Sequence, residues 1–391
     1  MKILIISHKP VFPSVDGGSV AVKKLYYDLK TKYKSIDIIA LNSNSKRKTN
    51  QKNHINQTLF QINKKFHFLK LISSLFSKKC YQTNRFYNKK VSQKITQTIN
   101  EKKYEYVLFE GVFPSVYLQD IKNKCKCKTI IRTHNVEHEI WNDLLSNTRN
   151  LFKKITYFFL KSQMKKWENF ICSKCDFLFC ISKNDKEYFK KKIKKKIEIL
   201  PVSFKIKNRN IPKEFSIFHL GAMDWKPNLE GIEWFLSNVW IKHLVNKKIG
   251  TLHLAGKNMP KHLKKKNYKS LKVKGLVDNS ESYMINKSIM IVPIFSGSGI
   301  RIKILEGMSM GIPIISTKKG AQGINFKNNK NILICNNEIE FSNSIKNLKS
   351  DAILFNKLSK GGKKLINEYF STKVVIKNWK KLIYEDSNNN S

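Results

Sequence analysis

Acidic side chains are scarce in this chain. It holds 28 aspartates and glutamates against 75 lysines and arginines, a formal net charge of +47 over 391 residues. That imbalance admits polyanionic partners, nucleic acid or anionic lipid. It also admits a plainer cause. Lysine, asparagine and isoleucine abound together, as AT-rich codons favour, so much of the lysine can be solvated surface. The run Lys190-Lys-Lys-Ile-Lys-Lys-Lys196 has no interleaved aromatic or glycine, and fits a helix flank better than a base-reading strip. Long apolar runs are also lacking. None nears the roughly 18 consecutive residues of a membrane span, which excludes one. The first residues run straight into a strand, with no basic, apolar and small-residue leader pattern. Cysteines number only seven. Cys125-Lys-Cys127 and Cys172-Ser-Lys-Cys175 are close pairs whose separation does not match a zinc module. Reduced thiols and a cytoplasmic protein are expected.

What is present is length and alternation. A chain of this size exceeds one ordinary core and suits two domains. The first half alternates strands and helices: Lys2–Ser7, a helix from Val20 to about Tyr33 capped by Ser19, then a strand over 35–41. Residues 48–84 show no clear strand. Within them 66–79 suits an amphipathic helix with lysines on one side, packed on its own domain or docked on an anionic membrane surface. Strands are expected at Tyr106–Glu110, Lys128–Thr133 and 177–181. A long helix over 151–170, rich in Phe, Tyr and Lys, is expected to face the core rather than a membrane. The polar stretch 203–213 marks a boundary. The reading is therefore an α/β chain: residues 1–203 as one doubly wound domain, 204–358 as a second, and 359–391 as a C-terminal helix returning to the first, with a frayed tail. No internal repeat is visible.

The richest stretch is Ser296-Gly-Ser-Gly-Ile-Arg-Ile-Lys-Ile-Leu-Glu306-Gly-Met-Ser-Met-Gly311-Ile-Pro313. It reads as glycine loop, helix, turn and strand, after the apolar strand 289–293. Gly297 and Gly299 let the backbone turn and approach a ligand. A helix from near Ile300 puts Ile300, Ile304, Leu305 and Met308 inward, and Gly311 suits a left-handed C-cap. Such a unit aims a helix N-terminus at the carboxyl edge of a parallel sheet, where anions collect. Arg301 and Lys303 add two charges, and Glu306 leans back toward the loop. Together they suit a nucleotide diphosphate, with Ser298 and Gly299 beside the phosphates. A surface Lys303–Glu306 pair would need the same spacing.

This segment resembles the donor-binding motif of glycosyltransferase family 4, retaining group 1 transferases of the GT-B fold. Other pieces fall in family order: Met1-Lys-Ile-Leu-Ile-Ile-Ser-His8, Asp16-Gly17-Gly18, Arg132-Thr-His134-Asn-Val-Glu137, Phe218-His-Leu-Gly221 through Lys226-Pro-Asn228, Leu254-Ala-Gly-Lys257 and Val273 to Asp278. The resemblance covers nearly the whole chain. It implies two Rossmann-like doubly wound parallel-sheet domains facing a central cleft, a nucleotide-sugar donor held by the second, and no metal or other cofactor. It also implies that Glu306 binds the donor ribose. Two positions depart from the pattern. The first glutamate of the family pair falls at Ser298, and an arginine after the second domain's first strand is replaced by Ala222. A phosphate site rebuilt around Arg301, Lys303 and Lys226 is expected.

Among the remaining candidates, His134-Asn-Val-Glu137-His138 matches H-x-x-E-H, a zinc-peptidase pattern that requires one helix face. A strand precedes it, so a strand-end loop is expected instead, with His134 donating a hydrogen bond to a sugar hydroxyl or donor phosphate. Gly18, at the amino end of the first helix, is assigned to the donor; Gly17 and Glu110 are assigned to the acceptor side. The expected reaction is transfer of a sugar from a nucleotide-sugar to a hydroxyl of a glycan or lipid-linked acceptor. Rivals are a GT-B epimerase, a nucleic-acid-binding protein and a degenerate, inactive transferase.

Overall fold

The computed structural model describes residues 1–14, 16–42, 57–62, 74, 80–146, 148–245, 247–266, 268 and 270–385. The amphipathic helix expected over 66–79 lies outside them except for Ser74. The chain forms two units, 1–203 with 373–391, and 204–372.

Unit 1 is built on seven parallel strands: β1 (Lys2–Ser7), β2 (Ser35–Asn42), β3 (Gln57–Gln61), β4 (Tyr106–Glu110), β5 (Lys128–Thr133), β6 (Phe177–Cys180) and β7 (Ile197–Ile199). Their order is β3-β2-β1-β4-β5-β6-β7. Unbroken apolar runs such as Ile3-Leu-Ile-Ile6 and Phe177-Leu-Phe-Cys180 make sense only if both sheet faces are covered, and all eight residues are buried. The helices are α1 (Gly17–Lys30), α2 (Tyr81–Asn84), α3 (Lys89–Lys102), α4 (Leu118–Lys124), α5 (Glu137–Ser146), α6 (Leu151–Lys174) and α7 (Lys183–Lys190). α1 begins three residues before the expected start. Asp16, not Ser19, is the N-cap; its carboxylate accepts from Ser19 N (2.9 Å) while Ser19 Oγ accepts from Asp16 N (3.1 Å), a reciprocal box.

α6 corrects an expectation. It buries Leu160, Met164, Glu168, Ile171 and Cys172, but its first half is not core-facing: Leu151, Phe152, Ile155, Phe158 and Phe159 are all exposed. One apolar stripe satisfies the core, and this helix has two.

Unit 2 repeats the architecture with six strands: β8 (Ser216–Leu220), β9 (Thr251–Ala255), β10 (Leu271–Lys274), β11 (Ile289–Val292), β12 (Ile314–Ser316) and β13 (Leu333–Ile334), ordered β10-β9-β8-β11-β12-β13 and all parallel. Its helices are α8 (Lys226–Trp234), running on into a π-helical stretch Phe235–Leu244, α9 (Lys261–Lys264), α10 (Ser280–Ile285), α11 (Ile302–Ser309), α12 (Glu338–Ser350) and α13 (Ala352–Tyr369). The last helical stretch, expected to be continuous, is two helices. α13 stays with unit 2, and α14 (Thr372–Glu385) joins unit 1 from Lys373 onward. The break has a tertiary cause: Phe370 is buried, and its carbonyl accepts from Phe204 N (2.7 Å) instead of a following helical turn. Trp379, Val375, Leu382 and Ile383 of α14 pack with Ile3, Ile5 and Phe179, and Trp379 stacks on Phe179 at 5.6 Å.

Candidate active site

Each sheet reverses its strand order once, between β1 and β4 in unit 1 and between β8 and β11 in unit 2. Open parallel sheets bind ligands outside the carboxyl ends of the strands at such a point.

In unit 2 the loop after β11 carries the glycines. Gly297 and Gly299 hold φ of 88° and 84°. A Cβ on Gly297 would stand 2.8 Å from the Trp225 indole, so only glycine lets the loop lie along that ring. Arg301 seals the arrangement. Its guanidinium stacks on Trp225, 4.7 Å from a ring centroid, and donates to the carbonyls of Ser298 and Gly299, the latter at 2.8 Å. It is buried and occupies the N-cap position, so α11 starts at Ile302 rather than near Ile300. Ile304, Leu305 and Met308 face inward as expected; Ile300 does not. Gly311 has φ 68° at the helix end. Ser298 Oγ is buried with no hydrogen-bond partner among the described residues.

Lys303, in the first turn of α11, turns toward β8. Its Nζ donates to Asn228 Oδ1 (2.8 Å) and approaches His219 Nε2 (3.2 Å). The ring nitrogens of His219 are distinguishable, because Nδ1 lies 3.0 Å from the Ile291 carbonyl, which can only accept. Nδ1 therefore carries the proton and Nε2 accepts from the amine. The amine also rests against Gly221, where a Cβ would come 2.9 Å from Nζ. Burial, then the charge of Arg301, push the Lys303 amine well below its usual value. Burial and then Lys303 do the same to the fully buried His219. An ammonium has three N–H groups, and two are committed here, leaving one for a ligand oxygen. Glu306 accepts from Ser280 Oγ at 3.0 Å. Lys226 lies apart from this group: it is exposed and pairs with Glu230 one turn on at 3.1 Å.

In unit 1 the polar centre lies at the ends of β4 and β5. Glu110 pairs in register with Arg132, and period-two alternation puts His134 on the same face as Arg132. Glu110 and Arg132 are fully buried and paired at 3.2 Å; Arg132 also donates to the carbonyls of Leu200 (2.9 Å) and Pro201 (3.2 Å). Burial alone would raise the Glu110 carboxyl, but Arg132 and then His134 outweigh it and hold it below its usual value. His134 Nε2 lies 2.5 Å from Glu110 Oε2. With Nε2 turned to that carboxylate, Nδ1 is the ring nitrogen left to meet a ligand. Glu110, being buried, reaches a ligand only through His134.

The H-x-x-E-H residues separate. His134 goes to Glu110 while His138 goes to Glu168, which also accepts from Glu137 N (2.9 Å). The two imidazoles serve different carboxylates, and the zinc arrangement is not formed. Gly17 and Gly18 open α1, but the amino end of that helix is filled by the Asp16 carboxylate, which also pairs with Lys9 at 2.8 Å.

Asp185, in the first turn of α7, is buried. Desolvation pushes its carboxyl up to about 7 despite a hydrogen bond with Ser182. A folded-state value above the unfolded one stabilises the fold at low pH, and that contribution is lost as pH rises from about 4 through 7. Asp185→Asn is expected to flatten the fall in melting temperature over that range; an unchanged slope would refute the assignment.

His219, Asn228, Trp225 and Ser280 were not singled out from sequence. His219, Trp225 and Asn228 lie within the stretch 218–228 that carries part of the family resemblance, but no role was assigned to them; Ser280 lies outside every quoted motif.

Residues 214–351 match the family model described as "Glycosyl transferases group 1". Over that span unit 2 is similar to group 1 glycosyl transferases. Across the whole chain the fold is GT-B. Sucrose-phosphate synthase from Thermosynechococcus elongatus superposes with a TM-score of 0.71 at 13% identity, covering 100% of both chains. Anabaena HepE, solved in complex with UDP and glucose, gives 0.66 at 12% identity over 97% of this chain and 98% of that one. A Klebsiella pneumoniae protein described as an uncharacterized 44.6 kDa protein in the cps region is 26% identical over 289 residues, 70% of this chain and 73% of its own length. Every residue meeting at Lys303 lies inside the matched span.

Proposed function

We propose that this chain moves a sugar from a nucleotide-sugar donor to a hydroxyl of a cell-envelope glycan. The observation that carries the reading is Lys303: a cation at the switch point of the glycosyl transferase domain, held by His219 and Asn228 with one N–H to spare. A leaving diphosphate there meets that N–H and the amino end of α11, the pre-set electrostatics that dominate such catalysis. Arg301 contributes charge while it fixes the glycine loop. Glu306 takes the ribose, as the resemblance to family 4 implies, with retention at the anomeric carbon. Two cations and a helix end supply what a metal would, so transfer is expected to persist in EDTA. His134 orients the transferred sugar through Nδ1. The envelope acceptor, lipid-linked and met from the cytoplasmic side, is supported by the relative from a cps region and by a strongly basic surface.

The test is a panel of nucleotide-sugars read by thermal shift, then by hydrolysis and transfer. At a hundredfold excess over Kd, binding adds about 2.7 kcal/mol and raises the melting temperature by several degrees. Arg301→Ala is expected to abolish the shift, while Lys257→Ala leaves it; equal effects would remove Arg301 from the site. Release of a free, altered sugar without consumption of acceptor would instead indicate an epimerase.

A further inference from the structure

Helix α6 is apolar on two opposite sides. Its inward side holds Leu160, Met164 and Ile171, all buried. Its outward side holds Leu151 (72% exposed), Ile155 (57%), Phe158 (57%) and Phe159 (42%), spaced i, i+4, i+7 and i+8, with Phe152 (83%) at its margin. At 100° per residue that second stripe lies opposite the first. Nothing else in the described residues exposes so much aliphatic and aromatic surface in one place, and contiguous patches of this kind mark interaction sites.

The charges around the stripe say what it meets. α6 carries Lys153, Lys154, Lys161, Lys165, Lys166 and Lys174. Its single carboxylate, Glu168, is buried against His138. α5 packs alongside, joined by a Trp141–Tyr157 ring contact at 6.0 Å and by Lys161 donating to Asn142 (2.8 Å), and it adds Leu144 to the exposed surface. The outward face is thus aromatic, lysine-bordered and without an exposed carboxylate of its own helix. Two copies meeting through such faces would bring like charges together, whereas an anionic bilayer supplies both an apolar layer and the opposite charge.

We propose that α6 docks unit 1 on an anionic phospholipid surface, with Phe152, Ile155, Phe158 and Phe159 entering the headgroup–acyl boundary and the lysines against lipid phosphates. This does not depend on the sugar chemistry, and its test needs no donor or acceptor.

The experiment is flotation of the full chain with phosphatidylcholine vesicles, with and without phosphatidylglycerol. The parent is expected to float with the phosphatidylglycerol vesicles, at least about tenfold more weakly with phosphatidylcholine alone, and to be released by high salt. The combined variant Phe152→Ser, Ile155→Ser, Phe158→Ser is expected to lose binding about tenfold or more while its melting temperature stays unchanged. Should that variant fold poorly, Phe158→Trp gives a second readout: the emission of the introduced indole shifts to the blue on phosphatidylglycerol vesicles. The proposal is overturned if the parent ignores those vesicles or the triple variant floats as well as the parent. It is equally overturned if the emission of the Phe158→Trp variant does not move, or if light scattering shows a dimer that the triple variant dissolves.

Discussion

Lys303→Ala is expected to lower kcat/KM for sugar transfer about a thousandfold, near 4 kcal/mol of transition-state stabilisation, the upper range for removing one pre-set donor from developing negative charge. Folding should hardly change, because the two hydrogen bonds the amine makes are offset by the cost of keeping it desolvated. Lys303→Met, which keeps the bulk, should melt within a few degrees of the parent and be equally inactive. The depressed amine adds a second signature. A diphosphate beside it opposes the depression, so donor affinity should fall as pH climbs through the lowered free-state value of the amine. A Lys303→Met protein that transfers sugar at the parent rate would end the proposed role. His219→Ala should weaken the same step less, since Asn228 still holds the amine.

Arg132→Met is expected to cost unit 1 about 3–5 kcal/mol and roughly 10 °C in melting temperature, by stranding the Glu110 carboxylate in a dry interior. The combined change Glu110→Gln, Arg132→Met should recover much of that loss, because neither partner then carries an unmatched charge. The sign with pH follows from the depressed Glu110 carboxyl: the pair contributes fully above the ordinary glutamate value and fades as pH falls through the lower, folded-state value. Calorimetry of the single and double variants checks this. Equal melting temperatures for parent and Arg132→Met would show the pair to be inert.

The parallel-sheet architecture was legible because its strands are short unbroken apolar runs separated by helical periods. β3 was not, since Gln57-Thr-Leu-Phe-Gln61 sits at a sheet edge and is only half-buried; an edge strand needs no apolar run. The first turn of α1 was misjudged because Asp16 and Ser19 are both good caps, and only the reciprocal bonding decides between them. At the candidate site the glycine loop, Lys303 and Glu306 stood out by spacing. Their partners did not. His219 belongs to a strand whose every residue is buried, so its sequence context reads as core. Arg301 was expected to reach for phosphate; its turn back onto Ser298, Gly299 and Trp225 depends on a ring from the start of α8, three strands earlier in the chain. The outward stripe of α6 was visible as composition, but sequence alone does not say how many sides of a helix find cover.

The membership of α14 in unit 1 has a bearing on biosynthesis. Unit 2 is encoded whole between residues 204 and 372, and every residue it needs has emerged before the final helix does. Unit 1 begins first yet stays open along the flank that Trp379 closes until α14 has followed unit 2 off the ribosome. Unit 1 should therefore mature after unit 2 on the ribosome, and a nonsense codon shortly before Lys373 should cripple unit 1 while sparing unit 2.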